Sequence, residues 1–180
     1  RRADYAEMLF GSGDHAAAAE LMLGALELAP TWTLGWFRLG EMHEAAGAPD
    51  VFCAGNDLND FVTMARSGGL GAPIIRFLHA LARCRKPIVA AVSGAAVGVG
   101  TTMLLHCDQV IAADNAALMT PFVSLGLLPE AGSSLIAPRL MGHARAFSLL
   151  VMGKPLTAEE AKGAGIVNQV VPAADLDAHA

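Results

Sequence analysis

Cysteine is scarce and odd in number. Cys53, Cys84 and Cys107 are the only three, with no C-x-x-C spacing and no adjacent histidine pair to complete a zinc site. Buried thiols in a reducing compartment explain them better than a disulfide framework or metal ligands. Basic charge is also short: twelve Lys and Arg stand against seventeen Asp and Glu, which excludes a broad nucleic-acid-binding surface. The basic cluster Arg83-Cys-Arg-Lys86 reads as a solvated helix end or a phosphate contact. The first residues, Arg1-Arg-Ala-Asp, have no apolar core and no signal-peptide form, so a cytoplasmic location is the default expectation. Charge is missing altogether from residues 87–105, a run long enough to raise a membrane span. Three glycines with Ser93, Thr101 and Thr102 dilute that run, and His106 and Asp108 close it, so no span is expected.

What remains is an apolar but globular composition, 54% hydrophobic with mean hydropathy +0.46, much of it alanine. At 180 residues the chain is long enough for one ordinary domain and a small appendage. Charge divides it near residue 50. Residues 1–50 hold Arg1, Arg2 and Arg38 against eight acidic side chains, whereas residues 51–180 hold nine of each sign. Two domains are expected, 1–50 and 51–180.

The first is helical by pattern. Tyr5, Leu9 and Phe10 precede a Gly11-Ser-Gly13 break, Asp14 is a candidate N-cap, and a second run ends at Pro30. A further run, residues 34–46, ends at Gly47. With Ala18, Ala25 and Pro30 in the small, Ala and Pro positions of a tetratricopeptide repeat, a period of about 34 residues predicts Trp, Leu and Gly. The chain has Trp36, Leu39 and Gly40. Residues 3–47 thus resemble one and a half such repeats, with an ordinary helical hairpin as the alternative. Because so few repeats seldom stand alone, this segment is expected to contact another domain or protein.

In the second unit, residues 51–57 read as the end of a strand opening into a turn, and strands or short extended pieces are expected at 87–92, 109–112, 117–119 and 166–171. Helices are expected at 74–84, 101–106, 133–141, 144–152 and 157–163, the last with Thr157 and Glu160 as a capping box. Residues 67–73 read as a loop. Alternation of this kind means an α/β fold with parallel strands and function at strand ends. The most informative stretch is Ser93-Gly-Ala-Ala-Val-Gly-Val-Gly-Thr-Thr102. A strand feeding a helix through glycines aims backbone N–H groups and the positive end of a helix dipole at one point, which suits a developing negative charge. Close packing of a helix on a sheet accounts for the same glycines.

Taken with Phe52-Cys-Ala-Gly-Asn-Asp-Leu58, Lys86-Pro-Ile-Val-Ala-Ala-Val-Ser-Gly94, Cys107-Asp108, Pro121, Leu125-Gly126, Leu156-Thr-Ala-Glu-Glu-Ala161 and Gly165-Ile-Val-Asn168, residues 51–175 resemble the crotonase (enoyl-CoA hydratase/isomerase) superfamily. They are most similar to its peroxisomal-type delta-3,delta-2-enoyl-CoA isomerases, through Thr120-Pro-Phe122 and Pro129-Glu-Ala-Gly-Ser-Ser134. The resemblance implies a fold of repeated β-β-α turns, here a partial one truncated at both ends relative to the family and preceded by the helical segment. It implies an acyl-CoA thioester substrate, a homo-oligomer, and no cofactor beyond the coenzyme A of the substrate.

By motif position, the implied oxyanion donors are the backbone N–H groups of Asn56 and Val99. The implied substrate-binding residues are Ala54, Gly55, Asn56, Asp57, Leu58, Gly98 and Phe122. The two glutamates of the hydratases fall on Thr102 and Phe122, neither of which can move a proton. Glu130 remains as the single implied catalytic base for a 3-enoyl-CoA to 2-enoyl-CoA isomerisation. Beside apolar Leu127, Leu128 and Phe122 its pKa is expected to rise; its other reading is stabilisation of the N-terminus of the helix that starts at Ser133. His79, His106 and His143 are read as structural. The alternatives to an isomerase are a non-catalytic acyl-CoA- or protein-binding module and an inactive truncated fusion.

Overall fold

The computed structural model describes residues 2–26, 51–55 and 72–180. Helices α1 (Arg2–Gly11) and α2 (His15–Leu26) pack on each other across the glycine break, burying Ala6, Ala18 and Met22. The Ala17 N–H donates to Asp14 Oδ1 at 3.3 Å, so Asp14 caps α2 as expected. This hairpin does not by itself make a tetratricopeptide repeat. The residues that would repeat the pattern, Trp36, Leu39 and Gly40, lie outside the described residues.

The rest is α/β, built on two sheets. Strand β1 (Val51–Cys53) precedes α3 (Ala72–Arg83); β2 (Val89–Val92) and β3 (Ala95–Val97) follow, then the single-turn helix α4 (Val99–Thr102) and a 3-10 turn, Met103–His106. Next come β4 (Gln109–Ala113), β5 (Ala117–Met119), α5 (Ser133–Met141) and α6 (His143–Leu150). The chain closes with β6 (Leu156–Thr157), α7 (Ala158–Gly163), β7 (Gln169–Val171) and α8 (Leu176–His179). One sheet has the order β1-β3-β5-β6, the other β2-β4-β7. All pairs are parallel except β5 with β6, so the expectation of parallel strands fails at that edge.

The stretch after Val92 departs from the expected strand-to-helix turn. Gly94, at φ 67°, turns the chain a strand earlier, and β3 forms in the other sheet before α4 begins. Asn115 fixes this corner: its Oδ1 accepts from the Gly94 N–H at 3.3 Å, while the Gly94 carbonyl accepts from the Ala117 N–H at 3.0 Å. The chain makes the same step again from β4 to β5 through the turn at Asp114 and Asn115. Two stacked β-β-α corners result, with β2 beside β4 and β3 beside β5. Val92, Ala96, Leu104, Val110, Leu118 and Leu149 fill the core between the layers.

Other expectations hold closely. The helix at 133–141 forms over those residues, and Thr157 and Glu160 make the capping box, Thr157 Oγ1 accepting from the Glu160 N–H at 3.2 Å and Glu160 Oε2 from the Thr157 N–H at 2.9 Å. The last strand is shorter than expected. Just before it, Asn168 grips Val110 twice: its N–H donates to the Val110 carbonyl at 2.8 Å and its Oδ1 accepts from the Val110 N–H at 2.7 Å.

One close approach joins the first strand to the rest. A Cβ at Gly100 would lie 2.7 Å from the Cys53 carbonyl oxygen and 2.8 Å from the Cys53 Cβ, distances no real contact sustains. Gly100→Ala is therefore expected to destabilise the protein by ~1–3 kcal/mol in urea denaturation, as overpacking does. Gly163→Ala, where an added Cβ meets nothing within 4 Å, serves as the control and should be neutral or more stable by up to ~1 kcal/mol. Equal effects at the two glycines would contradict the close approach.

Candidate functional site

Parallel pairing of β1 with β3 brings two turns out at the same end of one sheet, the end where α/β folds place ligands. Ala54 and Gly55 leave β1, Gly55 at φ 97°; Gly98 and Val99 leave β3, Gly98 at φ 58°. Asn56, Asp57 and Leu58, named from the sequence as substrate-binding and in part as oxyanion donor, lie outside the described residues. Gly98 is held on both sides. Its N–H donates to the Met119 carbonyl at 2.9 Å, and its carbonyl accepts from the Thr101 and Thr102 N–H groups, each at 3.0 Å. Thr101 stitches the strands below, its hydroxyl donating to the Ala96 carbonyl at 2.6 Å and accepting from the Met119 N–H at 3.1 Å.

Val99 opens α4, and the first N–H of a helix has no intrahelical acceptor. The expected helix of residues 101–106 is one α-turn followed by a 3-10 turn, too short to align many peptide dipoles.

Glu130 reaches this helix from the loop between β5 and α5. Its Oε1 accepts a short hydrogen bond from Thr102 Oγ1, and its Oε2 is buried with no hydrogen-bond partner. Burial raises the Glu130 pKa, and the Thr102 bond and the nearby His106 pull it back in part. Its side chain makes no cap on α5, which is capped at Gly132 with no side-chain cap bond; the Glu130 carboxyl bonds to Thr102 instead. What Glu130 lends to α5 is its main chain. The Glu130 carbonyl accepts from Ser133 Oγ at 2.6 Å and from the Ser133 N–H at 3.0 Å.

Surroundings differ in part from expectation. Phe122 is buried in the main core and Leu127 packs against it, but Leu128 is 87% exposed and shields nothing. His106, read as partnerless, sits with Nε2 2.6 Å from the Ala131 carbonyl, to which it donates. Ala131 has φ 54°, the left-handed region that favours glycine, and Gly132 follows at φ 67°. These two residues turn the chain sharply between the acid and α5. His143 lies against Phe147, ring centroids 5.9 Å apart. Among the described residues, no helix is long and apolar enough to cross a membrane.

Residues 45–180 match the enoyl-CoA hydratase/isomerase family. The match leaves out nearly all of the segment read as a tetratricopeptide repeat. The chain is 43% identical over 131 residues to enoyl-CoA delta isomerase 2 of Rattus norvegicus, covering 70% of this chain and 34% of that protein. It is 41% identical over 131 residues to 1,2-epoxyphenylacetyl-CoA isomerase of Escherichia coli, covering 69% of this chain and 50% of that one. A solved enoyl-CoA hydratase/isomerase from Pseudoalteromonas atlantica superposes with a TM-score of 0.65 at 47% identity, over 72% of this chain and 51% of that one. The chain thus spans about a third to a half of the length of these relatives.

The raised carboxyl has a consequence for stability. As pH rises from the ordinary glutamate value of 4.5, the unfolded chain loses this proton before the folded one does. That favours unfolding, so this group's contribution to stability is present below 4.5 and lost as pH rises through the folded-state value. Glu130→Gln removes the titration. Its stability relative to the parent is expected to increase between pH 4 and neutrality, measured by urea denaturation at a series of pH values. A difference that stays flat with pH would contradict the burial of Glu130.

Proposed function

The chain belongs to the enoyl-CoA hydratase/isomerase family, and on that premise we propose that it isomerises a 3-enoyl-CoA to the 2-enoyl-CoA with Glu130 as its base. The observation that carries the reading is the Glu130 carboxyl itself: half-buried, with Oε1 held and Oε2 buried and unpartnered. Hydration calls for one carboxylate to activate water and a second to manage the other proton. Thr102 and Phe122 stand where those acids would be, and neither ionises.

A 1,3 proton shift needs one carboxylate. Glu130 Oε2 removes a proton from the carbon α to the thioester carbonyl, and the C–H electrons flow into the carbonyl to give a dienolate. On this reading the dienolate oxygen takes hydrogen bonds from the backbone N–H groups of Asn56 and Val99, the donors that the resemblance implies, which would stabilise the charge as it develops. The proton on Oε2 then returns at the γ carbon, the double bond settles between the α and β carbons, and the carboxylate is regenerated. Gain and loss of one proton balance. Upward displacement of the Glu130 pKa assists both halves, since a base poised nearer the working pH both takes and returns the proton readily.

Ala54, Gly55, Asp57, Leu58, Gly98 and Phe122 complete the proposed acyl-CoA site, within a domain taken to begin at residue 51. This reading is tested with 3-hexenoyl-CoA and the purified, folded chain. Glu130→Gln is expected to lower kcat by about 10²–10⁴-fold, the usual worth of a positioned acid-base group. No turnover from the folded parent, or undiminished turnover in the variant, would overturn it.

A further inference from the structure

Thr102 is 0% exposed and is bonded at both ends. Its N–H donates to the Gly98 carbonyl at 3.0 Å, closing the turn that Val99 opens, and its hydroxyl donates to Glu130 Oε1. The candidate base and the N–H of Val99 are therefore tied to one helical turn, although Glu130 lies 28 residues away in sequence. The two carboxyl oxygens are not equivalent, because Oε1 is held and Oε2 has no partner.

We infer that Thr102 is a positioning residue: by holding Oε1 it prevents the carboxyl from turning and leaves Oε2 as the oxygen that carries the proton between the α and γ carbons. This rests on the isomerase reading of Glu130. The bond suits both halves of the reaction. With the carboxylate ionised, the hydroxyl donates to Oε1; with the proton on Oε2, Oε1 is the carbonyl of a neutral acid and still accepts the same bond. No proton passes through Thr102, which gains and loses nothing in the cycle. A threonine at this position thus does more than mark the absence of a hydratase glutamate.

The test uses the full chain with Thr102→Val, which keeps the shape of the buried side chain, and Thr102→Ser, which keeps the hydroxyl. Circular dichroism checks that each is folded. With 3-hexenoyl-CoA, Thr102→Val is expected to lower kcat by ~10–100-fold, the cost of a base displaced by about an ångström, with KM nearly unchanged. The acidic limb of its pH–rate profile should move to higher pH, because a hydrogen bond to the ionised form is gone. Thr102→Ser should restore both.

A second readout needs no turnover. In protein labelled with 13C at glutamate carboxyl carbons, the Glu130 signal, assigned by its loss in Glu130→Gln, should titrate at higher pH in Thr102→Val and return in Thr102→Ser. An unmoved titration, or a kcat and pH profile in Thr102→Val equal to the parent's, would overturn the inference. If Glu130→Gln is inactive while Thr102→Val behaves as the parent, the positioning role alone falls. If Glu130→Gln keeps its activity, the isomerase reading falls first, and the positioning role with it.

Discussion

The missing side chain at Gly100 is the constraint on which the site depends. Without a Cβ there, the backbone of β1 at Cys53 lies against α4 at a distance that any other residue would forbid. That contact sets the segment leaving β1 beside the one leaving β3. Two turns from separate parts of the chain thereby leave the same end of one sheet side by side. Sequence at those turns is free to vary as long as the backbone can follow its path. Valine at position 99, where a glycine is common in the resembled family, illustrates that freedom.

Around Glu130 the energetics oppose one another in a useful way. Burial disfavours the charged carboxylate, while the Thr102 hydroxyl and His106 favour it. Burial acting alone would push the carboxyl pKa further up, and the opposing groups take back part of that rise. The proposed role of Glu130 as a base rests on this local balance as much as on the family relationship.

Local patterns in the sequence were legible where one element decides its own conformation. The capping box at Thr157 and Glu160, the cap at Asp14 and the helix from Ser133 all involve partners within a few residues. Strand β3 was not, because three residues between Gly94 and Gly98 look like a glycine turn, and only pairing with β1 and β5 makes them a strand. The resemblance drew attention to Glu130 and Val99, yet treated Thr102 as a lost acid and His106 as partnerless. Both bonds span more than twenty residues. One signal could have found Thr102: a pair of hydroxyls in an otherwise uncharged, apolar run must be satisfied internally when buried.

Ala131 brings out a different kind of order. A left-handed backbone costs an alanine ~1–2 kcal/mol relative to the right-handed one, and here it immediately follows the acid. The carboxyl is thus fastened from the side-chain end by a hydroxyl and approached from the main-chain end by a conformation that the chain would not choose alone. A glycine would follow the same path without that cost, so the turn between the acid and α5 is held by the surrounding fold and not by the local preference of the chain.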